Sequence, residues 1–246
     1  MPSKTLKLRR RTSVRPLGHW ATGPLVITID GPAGAGKSTV AKQLAHELGL
    51  MYLDTGATYR TLALAGLQEE PPIVADAPRL ARLARQLPIR LEKAGRNGLR
   101  VFLGDDDVSR KIRTEQVTEV AAQISQYPEV RAAMVERQRE LASAQGVVVE
   151  GRDTGSIVFP RATHKFYLDA DPAVRAKRRQ RELEKFYGSQ MPLAMIREQI
   201  DLRDGLDRSR AVGPLVTPAG AMVIDTTRKT VQEVVRTMRH AIGPRP

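Results

Sequence analysis

The chain has 246 residues, a net charge of +13 from 40 lysines and arginines against 27 aspartates and glutamates, and no cysteine. The missing cysteines exclude disulfides and thiolate metal sites and fit a reducing compartment, here expected to be the cytoplasm. No apolar run approaches membrane-spanning length and no signal-peptide core is visible, so a soluble protein is expected, one whose basic surplus suits polyanionic partners.

Six positive charges, Lys4, Lys7, Arg9, Arg10, Arg11 and Arg15, precede residue 24 with no acid among them. This leader at 1–23 lacks apolar periodicity. It reads as a disordered solubilising tail, with a weak polyanion-binding arm or an organellar transit peptide as the competing readings.

The first element is a buried strand at 25–30, carried by Val26, Ile27 and Ile29. The pattern G-x-x-x-x-G-K-[ST] follows at once, filled by Gly31, Pro32, Ala33, Gly34, Ala35, Gly36, Lys37 and Ser38, with Thr39 next. Glycines let the backbone wrap phosphates with inward N–H groups, and the helix that follows adds the positive end of its dipole. In such loops the lysine meets the β- and γ-phosphate oxygens and the hydroxyl at position 38 is a Mg²⁺ ligand. Val40, Ala41, Leu44, Ala45 and Leu48 then recur at helical spacing, which completes the strand-loop-helix setting that the motif requires. A bound nucleoside triphosphate, ATP with Mg²⁺, is the expectation.

A second strand at 51–54 leads into Leu53-Asp-Thr-Gly-Ala-Thr-Tyr-Arg60. Residues 87–92 and 99–105 alternate around a glycine turn at 94–98 and predict a small antiparallel insert. A third strand, 146–150, runs into Glu150-Gly-Arg-Asp-Thr-Gly155, and further strands are expected at 165–169 and 221–225. Between the last two, 171–210 reads as two charged helices with a break near 186–192, a lid over the nucleotide. Alternating strands and helices predict a doubly wound parallel α/β sheet of five strands, and strand carboxyl ends are where such sheets bind ligands. Arg60 and Arg152 stand at those ends and are candidate phosphate forks.

The single asparagine, Asn97, excludes an N-K-x-D guanine reader, and no D-x-x-G switch occurs. A regulatory GTPase is therefore excluded, and phosphoryl transfer to a small acceptor remains. The residues alone leave CMP, UMP and AMP open as acceptors, and an RNA-binding protein open as a different class.

Six motifs in order, Gly31 to Thr39, Leu53 to Arg60, Ile112-Arg-Thr114, Val148-Val-Glu-Gly-Arg-Asp153, Val158-Phe-Pro160 and Arg203-Asp-Gly-Leu-Asp-Arg-Ser-Arg-Ala211, resemble the bacterial cytidylate kinase family across residues 24 to about 242. The resemblance implies a P-loop nucleoside-monophosphate kinase fold and transfer from ATP to CMP or dCMP. It divides the domain 24–246 into a core at 24–66, 114–170 and 211–246, a CMP-binding insert at about 67–113 and a lid at about 171–210. Residue by residue, it puts Thr55 and Arg60 at the ribose-phosphate end of CMP, Arg113 at a further substrate contact, and Arg152 on phosphate. Asp153 and Arg131 fall on the cytosine-reading pair, Arg203 and Asp207 near the ribose hydroxyls, and Arg210 on the transferring phosphoryl group. Lys37, Arg152 and Arg210 are then the catalytic residues.

Glu150 resembles the carboxylate that orients Mg²⁺ through water, against the plainer reading of a strand-end acid. A serine that the family often places beside the base falls at Ala122 here, with Ser125 one helical turn on. Arg175, Arg178, Arg179 and Arg181 share one lid helix, some expected on phosphate and others in solvent. A monomer that needs neither membrane nor nucleic acid is expected.

Overall fold

The structure, a computed structural model, describes residues 25–95, 98–142, 146–188 and 191–243. The basic leader, Asn97 and the tip residues 189–190 lie outside them. The first half of the chain forms β1 (Val26–Asp30), α1 (Lys37–Leu48), β2 (Met51–Asp54), α2 (Thr55–Gln68), α3 (Ala77–Gln86), β3 (Ile89–Ala94), β4 (Gly98–Leu103) and β5 (Asp106–Asp107). The second half adds α4 (Glu115–Ile124), α5 (Pro128–Leu141), β6 (Val147–Gly151), β7 (His164–Asp169), α6 (Pro172–Tyr187), α7 (Leu193–Ser209), β8 (Met222–Asp225) and α8 (Val231–Ile242).

Five strands form one parallel sheet in the order β2, β6, β1, β7, β8, with β1 at its centre. Successive side chains of β1 serve opposite faces, as the period of a strand requires. Ile27 and Ile29 pack with Leu44 of α1, Phe166 and Leu168 of β7, and Val234, Val235 and Met238 of α8. Val26 packs on the other side with Leu53, Val147, Val149, Val158 and Phe159. Such side chains, fully buried on both faces, each contribute about 1.5–3 kcal/mol of transfer free energy. The register sets Asp54 beside Glu150 and Asp30 beside Gly151, so the acids that end the strands gather along one edge.

The antiparallel insert is present, with Ile89 opposite Leu103, and it has a third strand, β5, that the sequence did not suggest. Two aspartates without an apolar partner carry no strand signal, and their pairing depends on the neighbouring β4. A third apolar cluster joins Leu62, Leu80, Leu87, Ile89, Val101, Ile112, Ile124 and Met134. The insert therefore shares its core with α2, α4 and α5. Helices α6 and α7 pack on each other through Ala176, Ile196 and Ile200, and Ala33 of the glycine loop joins that small core.

Candidate active site

The glycine loop leaves β1 and ends at Gly36, the N-cap of α1, whose first residue is Lys37. Lys37 is 6% exposed, and its Nζ donates to the Pro32 carbonyl at 2.6 Å. Burial, reinforced by nearby Arg152, pushes its ammonium down to about 7, while Glu150, Asp204 and Asp207 hold it up. The loop is braced from behind: Thr226 donates to the Ala35 carbonyl at 3.0 Å, and Arg178 of α6 donates to both oxygens of Thr226. Thr39 is exposed on α1.

Beside the lysine, the exposed Ser38 hydroxyl donates to Glu150 at 2.9 Å, and the Tyr52 hydroxyl donates to the other carboxylate oxygen. Burial raises the Glu150 carboxyl, Asp54 adds to the rise, and Lys37 opposes it. A hydroxyl and one buried carboxylate are hard oxygen donors of the kind that hold Mg²⁺ together with substrate phosphates. Asp30, one strand over, accepts from the Thr154 amide (2.7 Å), the Thr154 hydroxyl (2.8 Å) and the Gly155 amide (2.7 Å). It ties the glycine-loop strand to the single π-helical turn Thr154–Val158 that follows β6.

Arginines crossed by aspartates build the other half of the site. Arg60 donates to Asp54 at 3.0 Å, and Asp54 also caps α2 through the Ala57 amide. Burial alone would raise the Asp54 carboxyl, but Arg60, the Ala57 amide and Arg113 hold it below its ordinary range. Arg113 thus lies within electrostatic reach of Asp54. Arg152 donates through Nε to Asp207 at 2.8 Å, and Arg210 pairs with the second oxygen of the same carboxylate. Burial would raise Asp207 too, yet Arg152, Arg210 and Arg203 keep it low. Arg203 itself is pushed down to about 10, by burial first and then by the charge of Arg152. Nε of Arg60, Arg203 and Arg210 is buried with no hydrogen-bond partner among the described residues, so this cluster has donors left for an anion.

Arg131 and Asp153 form an ion pair with side chains 3% and 9% exposed. Arg131 also donates to the carbonyls of Ser125 (3.2 Å) and Gly213 (3.5 Å), and its guanidinium stands 5.9 Å from the Tyr59 ring centre. Burial lifts the Asp153 carboxyl above its ordinary value even though Arg131 and Arg210 pull it down. Gly213 sits over the pair at φ +64°, and a Cβ there would lie 2.2 Å from Arg131 Nη2 and 2.4 Å from Asp153 Oδ2.

The structure brings Lys37, Arg152, Arg203, Asp207 and Arg210 into one electrostatic group and sets Arg131 with Asp153 against it. Thr55 has another engagement: its buried hydroxyl donates to the Glu150 carbonyl at 2.7 Å and staples α2 to β6. The Ser125 hydroxyl, one helical turn on from Ala122, donates back to the Ala122 carbonyl at 2.8 Å. The four arginines of α6 separate. Arg175 pairs with Asp204, Arg178 holds Thr226, Arg179 pairs with Glu182, and Arg181 is exposed. Asp30, Tyr52 and Asp204 are site residues that the sequence reading missed. For Asp30 the signal was there, an acid ending the strand before the glycine loop.

The sequence model of the family described as Cytidylate kinase matches residues 27–243. A cytidylate kinase of Caldanaerobacter subterraneus subsp. tengcongensis is 45% identical over 216 residues, 88% of this chain and 93% of its own. One from Symbiobacterium thermophilum is 46% identical over 89% of this chain and 96% of its own, and one from Pelotomaculum thermopropionicum 44% over 85% and 92%. With a family match over most of its length, full-length relatives above 40% identity and a glycine loop facing an arginine cluster, the chain belongs to the cytidylate kinase family of phosphotransferases.

Proposed function

We propose the following division of labour for the reaction of this family, in which the chain transfers the γ-phosphoryl group of ATP to CMP or dCMP and yields ADP with CDP or dCDP. The loop Gly31 to Thr39 cradles the triphosphate, and Lys37 donates to its β- and γ-oxygens. Ser38 would hold Mg²⁺ and Glu150 orient its waters, the ion supplying neutralisation of phosphate charge when bound. Arg60 takes the ribose-phosphate end of CMP, Arg113 makes a further substrate contact, Arg203 and Asp207 take its ribose and Arg152 its phosphate, while Thr55, its hydroxyl engaged by the Glu150 carbonyl, shapes the site from behind. Arg210 exchanges Asp207 for the phosphoryl group in transit.

The observation that carries the acceptor assignment is the buried Arg131–Asp153 pair under Gly213. A carboxylate accepts from the exocyclic amine of cytosine, and a guanidinium donates to its carbonyl and ring nitrogen. Uracil presents a carbonyl where cytosine has the amine, and leaves the carboxylate without a donor. An acceptor that is already anionic needs no strong base, so Asp153 recognises the base and moves no proton. Positioning and electrostatics supply the catalysis, without a covalent intermediate.

The helices α6 and α7, residues 171–210, are assigned as the lid, and 67–113 as the CMP-binding insert. A monomer is proposed. None of the helices among the described residues is long and apolar enough to cross a membrane, and with the absence of cysteine this supports a cytoplasmic enzyme. Phosphorus NMR of the protein with ATP, Mg²⁺ and CMP tests the scheme. The β-phosphate signal of CDP should grow with that of ADP, and ADP formed without CDP would overturn it.

A further inference from the structure

The inward face of α7 changes character along its length. Ile196, Ile200, Asp204 and Asp207 are its buried residues, one stripe in which two aliphatic side chains give way to two acids. Asp207 meets Arg152 and Arg210, as described above. Asp204 meets something else. It is 1% exposed, accepts the Ala33 amide on Oδ1 at 3.1 Å, and pairs through Oδ2 with Arg175 of α6, itself 5% exposed. Arg175 in turn donates to the Ala33 carbonyl at 3.1 Å. Both polar groups of one glycine-loop residue are therefore held by a buried ion pair whose members stand on the two lid helices. The contact is close on the next residue as well, because a Cβ on Gly34 would lie 2.8 Å from the Arg175 carbonyl oxygen.

We propose that Asp204 is a positioning residue for phosphoryl transfer: with Arg175 it fixes the rotation of α7 against the tip of the glycine loop, so that Arg203 and Asp207 meet the ribose of CMP and Arg210 meets the phosphoryl group in transit. Asp204 touches neither nucleotide in this scheme. It lies beside Arg203 and one turn before Asp207, so a small rotation of α7 about this contact displaces both. Misplacement of reacting groups by about 1 Å costs on the order of 10²-fold in rate, whereas a pair that merely stabilises the fold leaves the rate of the folded enzyme alone.

The inference rests on the reaction proposed above, and the parent enzyme keeps the two apart: no CDP from the parent sinks that reaction, whereas an active parent tests Asp204. The first variant is the double substitution Arg175→Met with Asp204→Leu, since apolar replacement of a buried ion pair is often neutral or stabilising. Its melting temperature should stay within a few degrees of the parent's. Its kcat with saturating ATP and CMP should fall about 10²-fold, with the ATP dissociation constant changed less than about threefold. The second variant, Asp204→Asn, keeps an acceptor for the Ala33 amide and loses the charge that faces Arg175. An intermediate loss of about tenfold in kcat is expected for it, measured well below its own melting temperature. A kcat within about threefold of the parent in either folded variant, or a loss that only tracks the unfolded fraction, would overturn the positioning role.

Discussion

Replacing Lys37 by methionine is expected to lower kcat/KM for ATP by about 10³-fold, the scale on which removal of one preorganised charge donor acts in a water-excluded site, while the chain remains folded. The reason for the second half lies in the burial of the group. Lys37 is 6% exposed, and its ammonium donates to a carbonyl, that of Pro32. Its folded value near 7 lies below the ordinary 10.5, so the folded chain holds this proton less tightly than the unfolded chain does. The sign follows from linkage. Charge on Lys37 costs stability, the cost is complete below about pH 7, and it fades as pH rises toward the ordinary lysine value. Methionine keeps the packing of the stem and removes the charge. Thermal melting should therefore show the variant at or above the parent at pH 6, with the gap narrowing by pH 10. A variant that loses activity and melts lower at both values would mean that Lys37 serves the fold.

Asparagine at 153 should abolish base preference more than it abolishes catalysis. In the proposed scheme the buried Asp153 carboxylate accepts from the cytosine amine, and a site built on such a bond rejects a base that cannot make it by leaving buried polar groups unpaired. Asp153→Asn offers an amide donor to the uracil carbonyl. The expected result is a drop of about 10²-fold in kcat/KM for CMP with UMP turnover unchanged or higher, so the ratio between the two falls by at least that factor. An acid limb should mark the same residue. Burial raises the Asp153 carboxyl, so in the parent the CMP specificity constant declines as pH falls through a value above the ordinary carboxylate range. The part of that limb due to Asp153 should vanish in the asparagine variant. Equal losses for CMP and UMP, with the limb unchanged, would remove Asp153 from base recognition.

The parts of the fold legible in the sequence are those in which neighbours along the chain decide the outcome. Val26 to Asp30, the glycines and Lys37 to Leu48 announce a strand, a phosphate loop and a helix, because apolar period and turn chemistry are local. The five sheet strands fall within a residue of their expected bounds at either end for the same reason. What stayed hidden depends on partners far along the chain. β5 is two aspartates that become a strand beside β4 alone. Asp204 carries no signal of its own on a charged helix, and Asp207 is placed there only by resemblance; both are buried by arginines that follow β6, stand on α6 and end α7. The four arginines of α6 look alike in the sequence, and only their partners, Asp204, Thr226 and Glu182, tell three of them apart. The Arg131–Asp153 pair shows both limits: the resemblance named its two members, while Gly213, which closes over them, carried no signal.

Turnover of a panel of nucleoside monophosphates tests the central claim, that the arginines and aspartates at the later strand ends direct the phosphoryl group of ATP to cytidylate. With ATP and Mg²⁺ fixed, kcat/KM is measured for CMP, dCMP, UMP and AMP. CMP or dCMP should lead, UMP should trail, and AMP should give turnover near background. AMP turned over as well as CMP or better would contradict the account, and the Arg131–Asp153 pair would lose its assignment as the reader of cytosine.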